Sequence, residues 1–307
     1  MIMVQRVLPL LFLMAACNRG PTPQAPSEYA KVFTDGRMRP VAIHVPVRCV
    51  VSLAPSNTEI LFAVEAGSLL VGCDDHSDYP PPARDVRRLG KVSGHLDQEL
   101  ILTLKPDLVL ASEINLPEEV ESLERLGLAV FLLRNPSSFE GLYENILSVG
   151  WIAGREDRSR EVVEGLRCRV RRVEERIRNV GGRPRVFYEL DATDPSNPWT
   201  AGPGTFIDLL IRLAGGENIA AGRGQSYPRL SAEEIVQVDP EVIILGDGRC
   251  GVTVESVRRR PGWGGIAAVR LGQVHVFDDD LGSRPGPRLV DGLEALASLL
   301  HPERMER

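Results

Sequence analysis

The chain has 307 residues, a formal net charge of -6, and 43% hydrophobic against 25% charged residues, the balance of an ordinary globular protein. A mildly acidic chain without a basic cluster argues against nucleic acid as the partner, and the arginines between Arg167 and Arg178 are interleaved with glutamates, as on a solvated helix face. None of the cysteines (Cys17, Cys49, Cys73, Cys168, Cys250) forms a CxxC pair, so neither a zinc knuckle nor a thioredoxin-type site is indicated.

At the start, Arg6 precedes a short apolar run from Val7 to Ala16 that is too short to span a bilayer. This is the layout of a secretory signal peptide, expected over residues 1–16. Cys17 directly after Ala15-Ala16 makes it similar to a bacterial lipoprotein signal, with Cys17 as the lipidated first residue and an exported, membrane-anchored product. Residues 17–30, rich in Pro and polar side chains, read as a flexible tether. No other stretch reaches the length of a membrane helix, and what remains is long enough for two lobes.

Arg48 to Ala54 is a β-branched apolar run and predicts a buried strand. The following Pro55-Ser56-Asn57-Thr58 starts a helix that Ser56 or Asn57 can cap and Gly67 can end. Further strands are expected over Leu69 to Cys73, Leu108 to Ala111 and Ala129 to Leu133, each after a helical segment, which predicts a parallel sheet with helices on its faces. Cys49 and Cys73 fall on neighbouring expected strands, and the sequence assigns no disulfide among Cys49, Cys73, Cys168 and Cys250.

From Glu156 to about Val180, apolar residues recur at three- and four-residue steps in a charged segment, predicting one long amphipathic helix that Gly181-Gly182-Arg183-Pro184 ends. The strand-helix pattern then restarts at Arg185 and closes with a helix over Leu289 to Leu300. Leu96 to Leu110 aligns without a gap to Leu230 to Ile244 at a constant offset of 134. Both copies have a capping residue (Asp97, Ser231), an acidic helix start, an apolar stripe, a proline (Pro106, Pro240) and a buried strand. The expected organisation is therefore an N-terminal lobe over 31–153, a bridging helix over 154–182 and a C-terminal lobe over 183–307.

At RCVVSLAPSNTEILFAV, VGCDDHSDYPP, LKPDLVLA, NPWTAGPGTFIDLLIRLAGGENIA and LSAEEIVQVDPEVIIL the chain resembles the helical-backbone (class III) solute-binding proteins of ABC importers. The resemblance covers about residues 31–300, and SDYPP and GGENI are most similar to the cobalamin-binding branch. It implies an α/β fold of two Rossmann-like lobes with parallel sheets joined by one long helix. It also implies a corrinoid ligand such as cobalamin, no resident cofactor, no metal site, no catalytic residues, and partners in the permease subunits and ATPase of an importer. Haem or a ferric siderophore are the alternative ligands within this fold.

Ligands of parallel α/β sheets bind beyond the carboxyl ends of the strands, which points to 54–58, 74–81, 112–116, 190–204 and 278–288. Tyr79, stiffened by Pro80 and Pro81, suits the face of a flat macrocycle, and by the resemblance lines the cleft; the alternative is a tyrosine packing its own loop. Trp199 lies in a strand-end loop that matches a cleft wall of the family and Tyr227 at a position where the cobalamin binder carries an aromatic; the alternative for both is packing within the fold. His95 lies near an aromatic position of cobalamin binders; it is either a metal-ion ligand of the cargo or a solvated loop histidine. Asp280 and Arg284 match polar residues flanking the corrinoid, or tie down their own loop. Glu99 and Glu233 occupy equivalent first-turn places in the repeat; the helix dipole explains them, and the resemblance adds docking onto permease arginines. Asp74, Asp75, His76 and Asp78 read as solvated loop acids. Their one alternative is the metal site of an exported α/β hydrolase, a class for which GxSxG, GxxxxGK and HExxH are all missing.

Overall fold

The computed structural model describes residues 29–91 and 94–305, so the expected signal, Cys17 and most of the expected tether lie outside the described residues. An antiparallel hairpin opens the fold, β1 (Tyr29–Thr34) and β2 (Pro40–Val45), with Ile43 and Val45 buried. Its first strand begins inside the stretch read as tether, which corrects that boundary. Its alternating, largely exposed pattern lacks the continuous apolar run that marked the other strands.

The first lobe follows with β3 (Val50–Ser52), α1 (Pro55–Ala63), β4 (Leu70–Cys73), β5 (Gly90–Lys91), β6 (Gly94–Leu96), α2 (Gln98–Thr103), β7 (Leu108–Ser112), α3 (Pro117–Arg125), β8 (Val130–Leu133) and α4 (Phe139–Ile152). Its sheet is parallel in the order β4-β3-β7-β8. Then comes α5 (Glu156–Ile177), the long helix, shorter than its apolar text because the last turn tightens and Val180 N–H donates to Ile177 O at 3.2 Å.

The second lobe comprises β9 (Arg185–Asp191), β10 (Trp199–Thr200), α6 (Phe206–Leu213), β11 (Glu217–Asn218), α7 (Ala232–Val238), β12 (Val242–Leu245), α8 (Val254–Arg258), α9 (Ala267–Arg270), β13 (Val274–Val276), α10 (Asp280–Ser283), α11 (Leu289–Leu300) and α12 (Pro302–Met305). β9, β12 and β13 run parallel, with β11 parallel on the start of β9 and β10 antiparallel on its end.

The repeat is structural. Val50 pairs with Leu108 and Val186 with Val242, while Val109 pairs with Val130 and Ile243 with Val274. Lys105 and Asp239, at the repeat offset, both end their helices with positive φ (47° and 51°) just before Pro106 and Pro240. Asp97 and Ser231 both cap, accepting from Leu100 N–H at 2.9 Å and Glu234 N–H at 3.2 Å. Alternate strand residues face two cores, as the period of two requires. Val50 and Val186 point to a core shared by the lobes, Val51 and Phe187 to separate outer cores.

Val163, Leu166, Val170 and Val173 of α5 belong to the shared core, packed against α4 of one lobe and α11 of the other. Two local expectations change. Ala54, not Ser56 or Asn57, is the N-cap of α1 and no side chain caps it, because Asn57 is used elsewhere; the helix ends at Val64, before Gly67. All four described cysteines are free: Cys73 is in register with Ser52, placing Cys49 several residues along the neighbouring strand.

The α4–α5 seam is close at Gly150, where an added Cβ would overlap Ser159 Cβ. Gly150→Ala is expected to lower the unfolding free energy by about 1–3 kcal/mol in urea titration. Gly165→Ala, facing open space on α5, is expected to raise it by up to about 1 kcal/mol.

Candidate functional site

Short buried polar groups hold the carboxyl ends of the first lobe's strands. Asn57 Nδ2 donates to Leu110 O and Ala111 O (3.2 and 3.0 Å), fastening α1 to the end of β7. Asn115 closes the turn after β7, accepting from Ser112 N–H at 2.9 Å and donating to Leu53 O at 2.8 Å. Thr58 Oγ1 lies 2.8 Å from both Ser52 Oγ and Ser77 Oγ, and Ser77 in turn donates to Asp74. Asp74 is thus buried within its loop and not a solvated acid; burial raises its carboxyl above the usual range, against its bonds from Ser77 and His76 N–H. Among the described residues no group of three His, Cys, Asp or Glu is placed to hold a metal ion.

The two sets of strand ends face one cleft. A cavity of about 340 Å³ has Pro55, Ser56, His76, Ser112 and Asn135 on one wall and Asp280, Ser283, Arg284 and Pro285 on the other. A smaller cavity of about 160 Å³ adjoins it through Asn135, Ser283 and Pro285 and extends to Phe206 and Tyr227. The lining is rich in short hydroxyl and amide groups, which suit a ligand with many neutral hydrogen-bonding substituents.

Ion pairs join the lobes beside the cavity. Glu59 on α1 is 3% exposed and takes two bonds from Arg288 of the second lobe (3.0 and 2.6 Å). Burial raises the Glu59 carboxyl above its usual range even against Arg288. Arg284 reaches Asp78 across the cleft at 2.7 Å and Asp280 on its own helix at 3.0 Å. Against the upward push of burial, Arg284 holds Asp78 below the ordinary carboxylate range.

The second lobe has its own buried acid at the equivalent strand ends. Asp247, just after β12, accepts from Ala192 N–H at 2.9 Å, while its other oxygen is buried with no partner among the described residues. Burial, then the nearby Glu189 carboxylate, raises it to about 6. Glu189 itself is paired with Arg260 (2.8 Å).

The expected ligand residues do not all meet. Asp280 and Arg284 line the main cavity and Tyr227 the adjoining one. Asp280 is held by Arg249 (2.6 Å) as well as Arg284, so much of its charge serves its own loop. Tyr79 lies instead in a separate recess of about 300 Å³ toward α5, with the Arg288 guanidinium 3.9 Å over its ring. Trp199 lines neither cavity; Arg229 stacks on its indole at 4.5 Å. The backbone of His95 is in β6, and its side chain is outside the described residues. Glu99 and Glu233 are both exposed in the first turns of α2 and α7. Ser56, His76, Ser112 and Asn135 were not read in the sequence as ligand contacts; Ser56 was read there as a helix cap and His76 as part of the loop cluster. The first three fall in the expected strand-end segments; Asn135 follows β8, a strand end left off that set.

Two similar parallel-sheet lobes, one helix bridging them and a cleft between facing strand ends define a two-lobed protein that encloses a small molecule. The chain belongs to the periplasmic binding protein family, whose model matches residues 50–281. Members of that family bind solutes and are not enzymes. The chain is 29% identical over 272 residues (88% of it, 85% of the relative) to an uncharacterized ABC transporter substrate-binding lipoprotein, YvrC, of Bacillus subtilis. It is 31% identical over 265 residues (82% of it, 69% of the relative) to a cobalamin-binding protein of Halobacterium salinarum. Among solved structures, the periplasmic heme-binding protein RhuT of Roseiflexus matches with TM-score 0.75 and 27% identity, over 84% of this chain and 99% of that one.

Arg288→Ala strands the buried Glu59 and is expected to cost about 3 kcal/mol in urea titration, with most of it recovered on adding Glu59→Gln. Asp247 is raised in the fold, so its stability contribution is full below about pH 4 and is lost as pH rises through about 6. Asp247→Asn is expected to flatten stability against pH between about 4 and 6 and to add about 1–3 kcal/mol at pH 7.5.

Proposed function

We propose that this protein is the solute-binding component of an ABC importer, tethered outside the cytoplasm by lipid on Cys17, and that it carries a corrinoid, cobalamin or a precursor, in the interlobe cleft. The observation that carries this reading is the cleft itself, walled by the carboxyl-end loops of both sheets. The amide-fringed rim of a corrinoid matches Ser56, Ser112, Asn135 and Ser283, and Arg284 has an Nη2 donor left for a ligand oxygen. The relative from Halobacterium salinarum supports the same ligand class. A second reading, haem, is favoured by His76 and Tyr227, two side chains open to the cleft whose types ligate haem iron. Glu99 and Glu233, exposed on corresponding helices, dock the loaded protein on the permease.

Calorimetric titration against cyanocobalamin, cobinamide, haemin and a ferric siderophore tests the ligand. A corrinoid is expected to bind at least about 100-fold tighter than haemin, and Arg284→Ala to weaken it about tenfold. Tighter haemin binding that His76→Ala or Tyr227→Phe removes would instead establish the second reading. Glu99→Arg with Glu233→Arg is expected to abolish uptake in cells while leaving the titration unchanged.

A further inference from the structure

Among the described residues, Arg284 is the only Lys or Arg that lines the main cavity or the one adjoining it, and the fold surrounds it with acids. Its side chain is 13% exposed and lies 2.7 Å from Asp78, 3.0 Å from Asp280 and 3.9 Å from Glu59. Two of these acids are held from behind. Arg249 binds Asp280 at 2.6 Å and Asp278 at 2.8 Å, and Arg288 binds Glu59 at 2.6 Å. Asp78 reaches Arg284 from the first lobe, in a loop that Arg84 ties down by donating from Nε to the Asp78 carbonyl at 3.0 Å. The connected set holds three guanidiniums (Arg249, Arg284, Arg288) against four carboxyl groups (Asp78, Asp278, Asp280, Glu59). This wall of the cleft therefore carries no surplus positive charge, although an arginine stands on it.

An unpaired arginine in a cleft attracts carboxylates, whereas one already paired gains little by exchanging one carboxylate for another. A ligand carboxylate at this wall would have to leave water and displace Asp78. Asp280 and Glu59, fixed by Arg249 and Arg288, would stay beside it and repel it at close range. A neutral ligand oxygen requires no such exchange and leaves every pair intact. Against the upward push of burial, Arg284 keeps the Asp78 carboxyl below its ordinary range, so its charge is present at neutral pH.

We infer that Asp78 is a specificity-determining residue: paired with Arg284 across the cleft, it makes the site select macrocycles with a neutral, amide-bearing rim and reject those that place a carboxylate at this wall. Asp78 acts through Arg284 and is a positioning residue. The inference rests on the reading of the cleft as the cargo site and narrows the cargo by charge. A mere latch between the lobes would affect all ligands of one shape alike; charge selection separates them.

The test uses ligands that share a scaffold and differ in charge: cyanocobalamin and the three monocarboxylic acids made by hydrolysing one of its side-chain propionamides. The weakest-binding acid is expected to bind the unaltered chain at least about tenfold less tightly than cyanocobalamin at low salt, and less than about threefold at high salt. Asp78→Asn keeps an oxygen beside Arg284 without the charge and is expected to bring the low-salt ratio below about threefold, as is Asp78→Ala. Asp157→Asn, an equal change of charge at the exposed start of α5, is expected to leave the ratio at the wild-type value. A ratio that Asp78→Asn leaves intact would reflect a lost amide hydrogen bond and overturn the inference. Equal or tighter binding of all three acids by the unaltered chain would overturn it as well. Either result leaves the corrinoid reading standing. Failure of all four corrinoids to bind sinks that reading, and charge selection is then read from haemin against its dimethyl ester. Tighter binding of the ester, narrowed by Asp78→Asn, upholds the inference; tighter binding of haemin overturns it.

Discussion

The apolar stripe of α5 is the contact on which the molecule depends. Val163, Leu166, Val170 and Val173 are buried against α4 on one side and α11 on the other, so the inner core passes through both lobes without a break. Each such side chain contributes about 1.5–3 kcal/mol by its burial. A wide opening of the cleft would pull one lobe off this stripe and expose several of them together. The lobes are thus held at a nearly fixed separation, and cargo enters a gap whose width the helix sets.

Charge decides how the lobes face each other within that frame. Glu59 and Arg288 are almost fully withdrawn from water, so neither tolerates separation from the other. Arg284 sits where the pair meets the cavity, shared between Asp78 of one lobe and Asp280 of the other. A guanidinium with carboxylates on two sides is fixed in direction, and it lines the cavity from the second lobe's wall. The same ions that tie the lobes together therefore shape a wall of the cleft.

The duplication explains why the cleft has two comparable walls. In each lobe a capped helix ends on a left-handed residue before a proline and feeds a central strand, with matching registers to its neighbours. The strand ends then differ in content. The first lobe fills them with a hydroxyl and amide network around Ser52, Thr58 and Ser77, the second with the Glu189–Arg260 pair and the buried acid Asp247. One backbone plan thus carries two chemistries, and the cleft is asymmetric where the fold is symmetric.

The sequence by itself determined the parallel strands, the long helix, the repeat and the family, because those depend on local periodicity and on turn residues at fixed spacing. It also located most of the cleft, since strand ends can be counted along the chain. It did not determine which side chains reach that cleft. Tyr79 looked presented by its prolines, but Arg288, distant in the chain, holds its ring in another recess; Trp199 is likewise occupied by Arg229. Asp74 looked solvated until the fold brought Ser77 and Thr58 around it, and the hairpin at Tyr29 carried no continuous apolar run to announce it. Side-chain partners come from residues far apart in sequence, so only the tertiary structure decided which polar groups were consumed in holding the lobes and which were left lining the cleft.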